Sequence, residues 1–237
     1  MARDMDVASA AGGVPPAAGT AARLRQPTRR DRQKRATREA LRAAALRLFA
    51  EQGFRLTTAE EIAAAAGVSR RTFFVHFSSK DEVLLGHVAE QLAMLRAELD
   101  TAPADLEPVA RAGHAVTALA EAMQRRDDLL VQLDLLHRAP ELLAVNLEQF
   151  TAFEDAIVDA VGGWLTGPRS RRLTAAEEAY AGLVGTVSMA ALRAGLTLWR
   201  RRDGRGSLPE LVAANVRQVR TGLSAPAADP EASPGQR

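Results

Sequence analysis

The stretch TAEEIAAAAGVSRRTFFVHF, Thr58 to Phe77, decides the fold. Thr58 followed by Glu61 forms a capping box, which starts a helix by satisfying its free N–H groups. Ile62, Ala63 and Ala66 then share one face. Gly67 stops the helix, because glycine accepts φ > 0 at little cost. Val68 packs the turn, and Ser69 caps a second short helix. Two short helices joined through a glycine-containing turn make a helix-turn-helix, whose second helix enters a DNA major groove. Arg70 and Arg71 fall in the first turn of that second helix, within reach of base edges. Phe73, Phe74 and Phe77 supply its buried side. Taken alone, the same pattern also fits an ordinary helical hairpin.

Upstream, Leu41, Ala44, Ala45, Leu48 and Phe49 recur at helical spacing, so a first helix is predicted from about Asp31 to Gln52, ended by Gly53. Before it comes a basic run of Arg23, Arg25, Arg29, Arg30, Arg32, Lys34, Arg35 and Arg38. Such a run favours phosphates by releasing their counterions; it serves equally well as a solubilising tail. Residues 1–27 are rich in Ala, Gly and Pro and are expected to be disordered. Downstream, Ser79 and Glu82 form another capping box, and one continuous helix is expected from about Lys80 to Leu99.

The 237 residues are 47% hydrophobic and suffice for a full core in one or two domains. There is no cysteine, which excludes disulfides and thiolate metal sites. No uninterrupted apolar run approaches the roughly 20 residues of a membrane span, and the N-terminus does not resemble a secretory signal. A soluble, cytoplasmic, nucleoid-associated protein is expected. Residues 1–80 hold 15 Lys+Arg against 7 Asp+Glu, although the whole chain carries only +2. A basic N-terminal part on an acidic body points to a local polyanion partner.

The rest reads as helices at about 105–125, 127–138, 141–165, 174–201 and 208–223, with Gly162-Gly163 and Gly167-Pro168 in a loop before Thr174. No strand-like alternation or βαβ pattern occurs, so the fold class is all-α. Leu183, Val187, Ala190, Ala191, Ala194 and Leu198 line one face of the penultimate helix; Leu208, Leu211, Val212, Val216, Val219 and Leu223 line the last. Pairing both stripes with a symmetry mate makes a four-helix bundle, hence an expected homodimer. The alternative is that the stripes face only their own domain's core. Leu119, Met123, Leu133, His137, Phe150 and Phe153 are the candidate ligand-binding residues, with Leu129, Leu130, Leu136, Leu143, Leu147 and Ile157 also available to a pocket. His137 shares a helical face with Asp134, as a polar lining or a solvated pair. Gly182-Leu183-Val184-Gly185-Thr186 lies inside a predicted helix and reads as close packing. No metal or cofactor site is expected.

The block from Thr57 to Leu84 resembles the DNA-binding domain of the TetR family of bacterial repressors. The resemblance begins in the first helix, at Leu48-Phe49-Ala50-Glu51-Gln52-Gly53-Phe54. It continues through Thr57-Thr58, Ile62-Ala63, Ala66-Gly67-Val68-Ser69 and Thr72-Phe73-Phe74-Val75-His76-Phe77-Ser78-Ser79-Lys80. It covers residues 30 to 85 or so. By resemblance, Thr58 contacts a phosphate, Ser69, Arg70, Arg71 and Thr72 form the base-facing start of the recognition helix, and His76 and Lys80 touch the DNA backbone. Phe74 stands where the family usually has tyrosine, which removes a hydroxyl for phosphate. Arg138-Ala139-Pro140-Glu141-Leu142, with Asn146 and Phe150, resembles the actinobacterial subgroup associated with acyl-CoA-like ligands.

The expectation is therefore a disordered arm (1–27), a helix-turn-helix DNA-binding domain (28–80), a helical ligand-binding and dimerisation domain (81–224) and a disordered tail (225–237). The resemblance implies a ligand-responsive homodimeric repressor on a palindromic double-stranded operator, released by a small apolar or acyl-CoA-like effector. The alternatives are a helical enzyme whose arginines bind a phosphorylated substrate, and a protein-interaction module.

Overall fold

A computed structural model describes residues 28–85, 87–139, 143–167 and 171–222. The arm with Arg23 and Arg25, the segment Pro140 to Leu142, the side chains of residues 143–149 (Leu143, Asn146 and Leu147 among them), Pro168 and the tail from Leu223 lie outside them. Among the described residues there are ten helices and no strand. The helices are α1 (Arg29–Gln52), α2 (Ala59–Ala65), α3 (Arg70–His76), α4 (Lys80–Leu85), α5 (Val88–Thr101), α6 (Pro108–Gln124), α7 (Leu129–Arg138), α8 (Leu143–Thr166), α9 (Ala175–Arg201) and α10 (Leu208–Thr221).

The caps explain most of these bounds. Thr28 and Asp31 form a complete capping box at α1, so the helix starts two residues before the predicted point. Arg29, Arg30, Arg32, Lys34, Arg35 and Arg38 consequently ride on helical turns instead of preceding them. Gly53, at φ 86°, ends α1. Thr58 with Glu61 opens α2, Ser69 opens α3, and Thr174 with Glu177 opens α9. The single helix expected over 80–99 is two, α4 and α5, with Gly86 and His87 between them. The carbonyls of Val83 and Leu84 near the end of α4 find side-chain partners elsewhere. Gly162 and Gly163 belong to α8 and not to the expected loop; a Cβ on Gly162 would touch Leu173 at 3.2 Å.

Two apolar clusters form. The first unites α1–α4 through Leu41, Phe49, Ile62, Phe73 and Leu84, and takes in Leu135 of α7 and Ala139 just after it. The second joins α5, α6, α8, α9 and α10 through Leu95, Val116, Ile157, Met189 and Trp199. α9 is long and apolar enough in composition to cross a bilayer. Its Ala181, Val184, Met189, Leu192 and Trp199 are buried in this second cluster, so it serves as a core helix.

The two C-terminal stripes part company. On α10, Leu208, Val212 and Val216 face the chain's own core, which corrects their assignment to a partner. Val212 packs onto Gly195 of α9, where a Cβ would lie 2.7 Å from its Cγ2. Val216 presses on Gly113 of α6 more closely still. On α9, Leu183 (60% exposed), Ala190, Ala194 and Leu198 stay outside the core, whereas Ala191 is buried. Gly185 packs against Glu154 and Val158 of α8.

Valine is stiff at χ1 on a helix, so Val216 cannot swing clear of an added methyl. Gly113→Ala should therefore destabilise the fold by about 1–3 kcal/mol through overpacking. Urea unfolding of the variant against Gly163→Ala, where nothing lies within 4 Å of a new Cβ, checks this.

Candidate functional site

α3 is anchored by Phe73 and Phe77, both buried, whose rings lie 5.9 Å apart. The anchoring turns Arg70, Arg71, Phe74 and Val75 to solvent. Phe74, expected on the buried side, is 47% exposed, because it follows Phe73 by a 100° helical step. Arg71 is exposed and makes no hydrogen bond or ion pair among the described residues. Arg70 pairs with Glu60 of α2, and its guanidinium sits 5.4 Å from the Phe74 ring. Both members of that pair are well exposed, so it is worth about 0–1 kcal/mol and yields readily to a stronger anion. Ser69 caps α3 through Thr72 N–H at 3.1 Å, and the two hydroxyls lie 2.9 Å apart. The Thr58 hydroxyl donates to Glu61 at 2.9 Å and accepts from its backbone N–H at 3.2 Å.

Lys80 departs from its expected role. Its ammonium donates to the carbonyls of Phe54 (2.7 Å), Thr57 (3.0 Å) and Arg55 (3.2 Å), and lies 4.5 Å from the Phe54 ring. An ammonium has three protons, and all are used. Lys80 pins the α1–α2 corner to the first turn of α4 and has no donor to spare for a phosphate. His76 is half-buried, and its Nδ1 has no partner. Burial, then the charges of Lys34 and Arg38, hold its pKa below the ordinary value. Its carbonyl accepts from Arg38 Nη1 at 2.6 Å, while the Arg38 guanidinium stacks 4.2 Å from the Phe77 ring. Arg38 thus fastens α1 to the end of α3.

The sequence reading missed the centre of the molecule. Arg42, on α1, is buried. Its Nε donates to Asp128 at 2.6 Å, its Nη1 to the Val83 carbonyl at 2.5 Å, and its Nη2 to Gln132 Oε1 at 3.4 Å. Gln132 on α7 donates in turn to the Leu84 carbonyl at 2.8 Å. Arg126 donates to Asp128 at 2.8 Å and to Gln132 at 2.6 Å. The carbonyls at the end of α4, where a helix needs donors and positive charge, are held by this cluster. The signal was present: Arg42 falls between Leu41 and Ala45 on the buried stripe of α1, where a charge needs a partner.

The cluster borders an apolar cavity of about 70 Å³. Leu119, Met123, Leu133, Phe150 and Phe153 line it, five of the six expected residues. Leu129 and Leu136 also line it, while Ile157 lies in the core beside it. Arg126, Gln132 and Gln91 supply its polar wall. His137 is exposed and outside the lining, in the last turn of α7 and about 100° round the helix from Leu136. Asp134 pairs with Arg200 at 3.2 Å instead of with His137.

Comparison with known proteins agrees with this arrangement. The family model described as bacterial regulatory proteins, tetR family, matches residues 41–86, and that of the MftR C-terminal domain matches residues 106–224. The HTH-type transcriptional regulator TcmR of Streptomyces glaucescens is 36% identical over 137 residues, 54% of this chain and 60% of that protein. The putative mycofactocin biosynthesis transcriptional regulator MftR of Mycobacterium tuberculosis is 29% identical over 122 residues, 49% of this chain and 60% of that protein. The chain thus matches three-fifths of the length of each of these curated relatives. Among solved structures, the TetR-family repressor FadR of Thermus thermophilus, in complex with lauroyl-CoA, is 30% identical. That alignment covers 84% of this chain and all of that one, with a TM-score of 0.49. FadR of Bacillus subtilis, in complex with stearoyl-CoA, is 16% identical, covers 78% of this chain and 99% of that one at a TM-score of 0.55, and shares the fold.

Removing one partner of a buried ion pair leaves the other charge uncompensated, at about 3–5 kcal/mol. Arg42→Met should lower unfolding stability by that order, read by urea titration. Burial pushes the Asp128 carboxyl up, but the hydrogen bonds and charges of Arg42 and Arg126 outweigh it and hold the group below its ordinary 3.8. A depressed carboxyl stabilises the fold above its unfolded pKa and loses that contribution as pH falls through the folded one. Wild-type stability should accordingly fall below pH 4 more steeply than that of Asp128→Asn, measured by unfolding at stepped pH.

Proposed function

The chain belongs to the TetR family of bacterial transcriptional regulators, and from that premise we propose a homodimeric repressor of a palindromic operator, released by a small, largely apolar effector. The observation that carries this reading is the Arg42 cluster. One set of hydrogen bonds touches both the helical unit that presents Arg71 and the wall of the apolar cavity. A ligand that binds one arrangement of that cluster better than another shifts the balance between two settings of α4. The protein is not an enzyme: the relatives it matches are transcriptional regulators. Its place of action is the cytoplasm, on chromosomal DNA.

In this reading residues 28–80 bind DNA and 81–224 bind effector and partner. Arg71 reads a base, since an unpaired guanidinium can give guanine O6 and N7 two hydrogen bonds. Arg70 joins it when the Glu60 pair opens. Thr58, Ser69, Thr72 and His76 position the backbone. Phe74 offers no hydroxyl, and the exposed cations along the first turns of α1 (Arg29, Arg30, Arg32 and Arg35) supply phosphate contacts in its place. For the dimer, the exposed stripe Leu183, Ala190, Ala194 and Leu198 on α9 is an apolar face that a symmetry mate would cover. The effector is an acyl chain or a molecule of similar apolarity, and Met123 and Met189 in the cavity wall are flexible enough to make room for it.

A gel shift with the DNA upstream of its own gene tests the central assignment. Arg71→Ala should weaken specific binding by about 1–3 kcal/mol and relax one base preference. Equal loss on specific and random DNA would refute base readout, and no shift at all would favour a protein-interaction module. Leu183→Glu should convert the dimer to monomers in light scattering; a wild-type chain that is already monomeric contradicts the palindromic arrangement.

A further inference from the structure

The polar wall of the cavity carries more positive charge and more donors than it can satisfy. Arg42 and Arg126 share one carboxylate, Asp128, whose two oxygens are taken by one guanidinium each. Two cations against one anion leave a surplus positive charge in a buried place, where the Arg126 side chain is 16% exposed. Among the described residues no second carboxylate pairs with either guanidinium. Gln132 is neutral. His87 is pushed below its ordinary pKa by burial first, then by Arg126 and Arg42. Glu90 bonds the His87 ring at 3.4 Å and its charge reaches Arg126, but its side chain is 80% exposed, so water screens most of it. A buried charge without a full counter-charge is costly, which favours an anion at this wall.

The donors agree with the charge. Gln91 Nε2, on the cavity wall, is buried and has no partner. Arg126 uses Nε and Nη2 on Asp128 and Gln132, and its Nη1 makes no hydrogen bond among the described residues. Gln91 Nε2 is a buried donor without a partner, Arg126 Nη1 is a donor left over from the Asp128 and Gln132 bonds, and both residues belong to the wall of the same cavity. The remainder of that wall is leucine, methionine and phenylalanine, with Val88. What fits is an apolar body ending in an anionic acceptor.

We infer that the effector is an apolar carboxylic acid whose carboxylate seats on Arg126 and Gln91, and not an acyl thioester, whose head is neutral at that position. This rests on the cavity being the effector site. The carboxylate supplies the missing negative charge and competes with Asp128 and Gln132 for Arg126. Those two residues also hold Arg42 and the Leu84 carbonyl, so the acid is sensed at the end of α4.

Isothermal titration calorimetry of the full chain with decanoate, 1-decanol and decanoyl-CoA at pH 8 tests this. Decanoate should bind at least about tenfold more tightly than the alcohol, the scale of one charge-assisted contact. Arg126→Gln should bring the acid down to the alcohol and leave the alcohol unchanged. Because Arg126 also bonds Asp128, Gln91→Leu is the companion variant: it removes an unpartnered amide, keeps the wild-type unfolding midpoint, and should weaken decanoate several-fold. Equal affinity for acid and alcohol, an acid preference that survives both substitutions, or tighter binding of decanoyl-CoA than of decanoate overturns the inference and leaves an apolar effector cavity standing. Absence of binding by all three compounds overturns both.

Discussion

A guanidinium cannot be buried alone, and Arg42 is buried. This requirement fixes more of the molecule than any other single contact. The Arg42 side chain must find acceptors in three places at once: the last carbonyls of α4, the Asp128 carboxylate before α7, and the Gln132 amide within it. Hydrocarbon at the same position would pack α1 against its neighbours in several nearly equivalent ways. The arginine allows one register, because each hydrogen bond has a direction as well as a distance. The Asp128 carboxyl then completes its shell with Arg126, which carries the constraint to the cavity.

The consequence is a mechanical connection between two apolar clusters that share few side chains. α7 stands at the junction: Leu135 packs into the α1–α4 cluster, while Leu129 packs into the other. α4 is only six residues long and is held at both ends, by its own Lys80 on the α1–α2 corner at its start and by Arg42 with Gln132 at its finish. A short helix held this way moves as its holders move. Glu82 of α4 pairs with Arg38 at 3.7 Å, and Arg38 stacks on Phe77 at the end of α3, so α4 and α3 are linked through one α1 side chain.

Features set by neighbouring residues were legible in the sequence. Thr58 with Glu61, and Ser69 at the next helix, place helix starts by contacts within one turn, and the structure has both caps. Five of the six residues expected at the cavity line it, because an apolar face of α6, α7 or α8 turns inward as a unit; His137, in the last turn of α7, is exposed instead. Features set across the chain were not legible. The Arg42 to Asp128 pair spans 86 residues, and nothing local marks the partner. Lys80 looked like a free cation at a helix start, and only the folded α1–α2 corner shows three carbonyls converging on it. The stripe on α10 was a correct reading of apolarity with the wrong neighbour: Gly113 and Gly195 open slots for Val216 and Val212 within the same chain.

The central claim is that occupancy of the cavity is felt at α4 through the Arg42 cluster. Hydrogen–deuterium exchange of the full chain, with and without saturating decanoate, tests it most directly. The account predicts changed exchange in α4 and the end of α3 on ligand addition, and loss of that change in Gln132→Leu although the ligand still binds. A response confined to α6, α8 and α9, with α4 unaltered in the wild type, would contradict it.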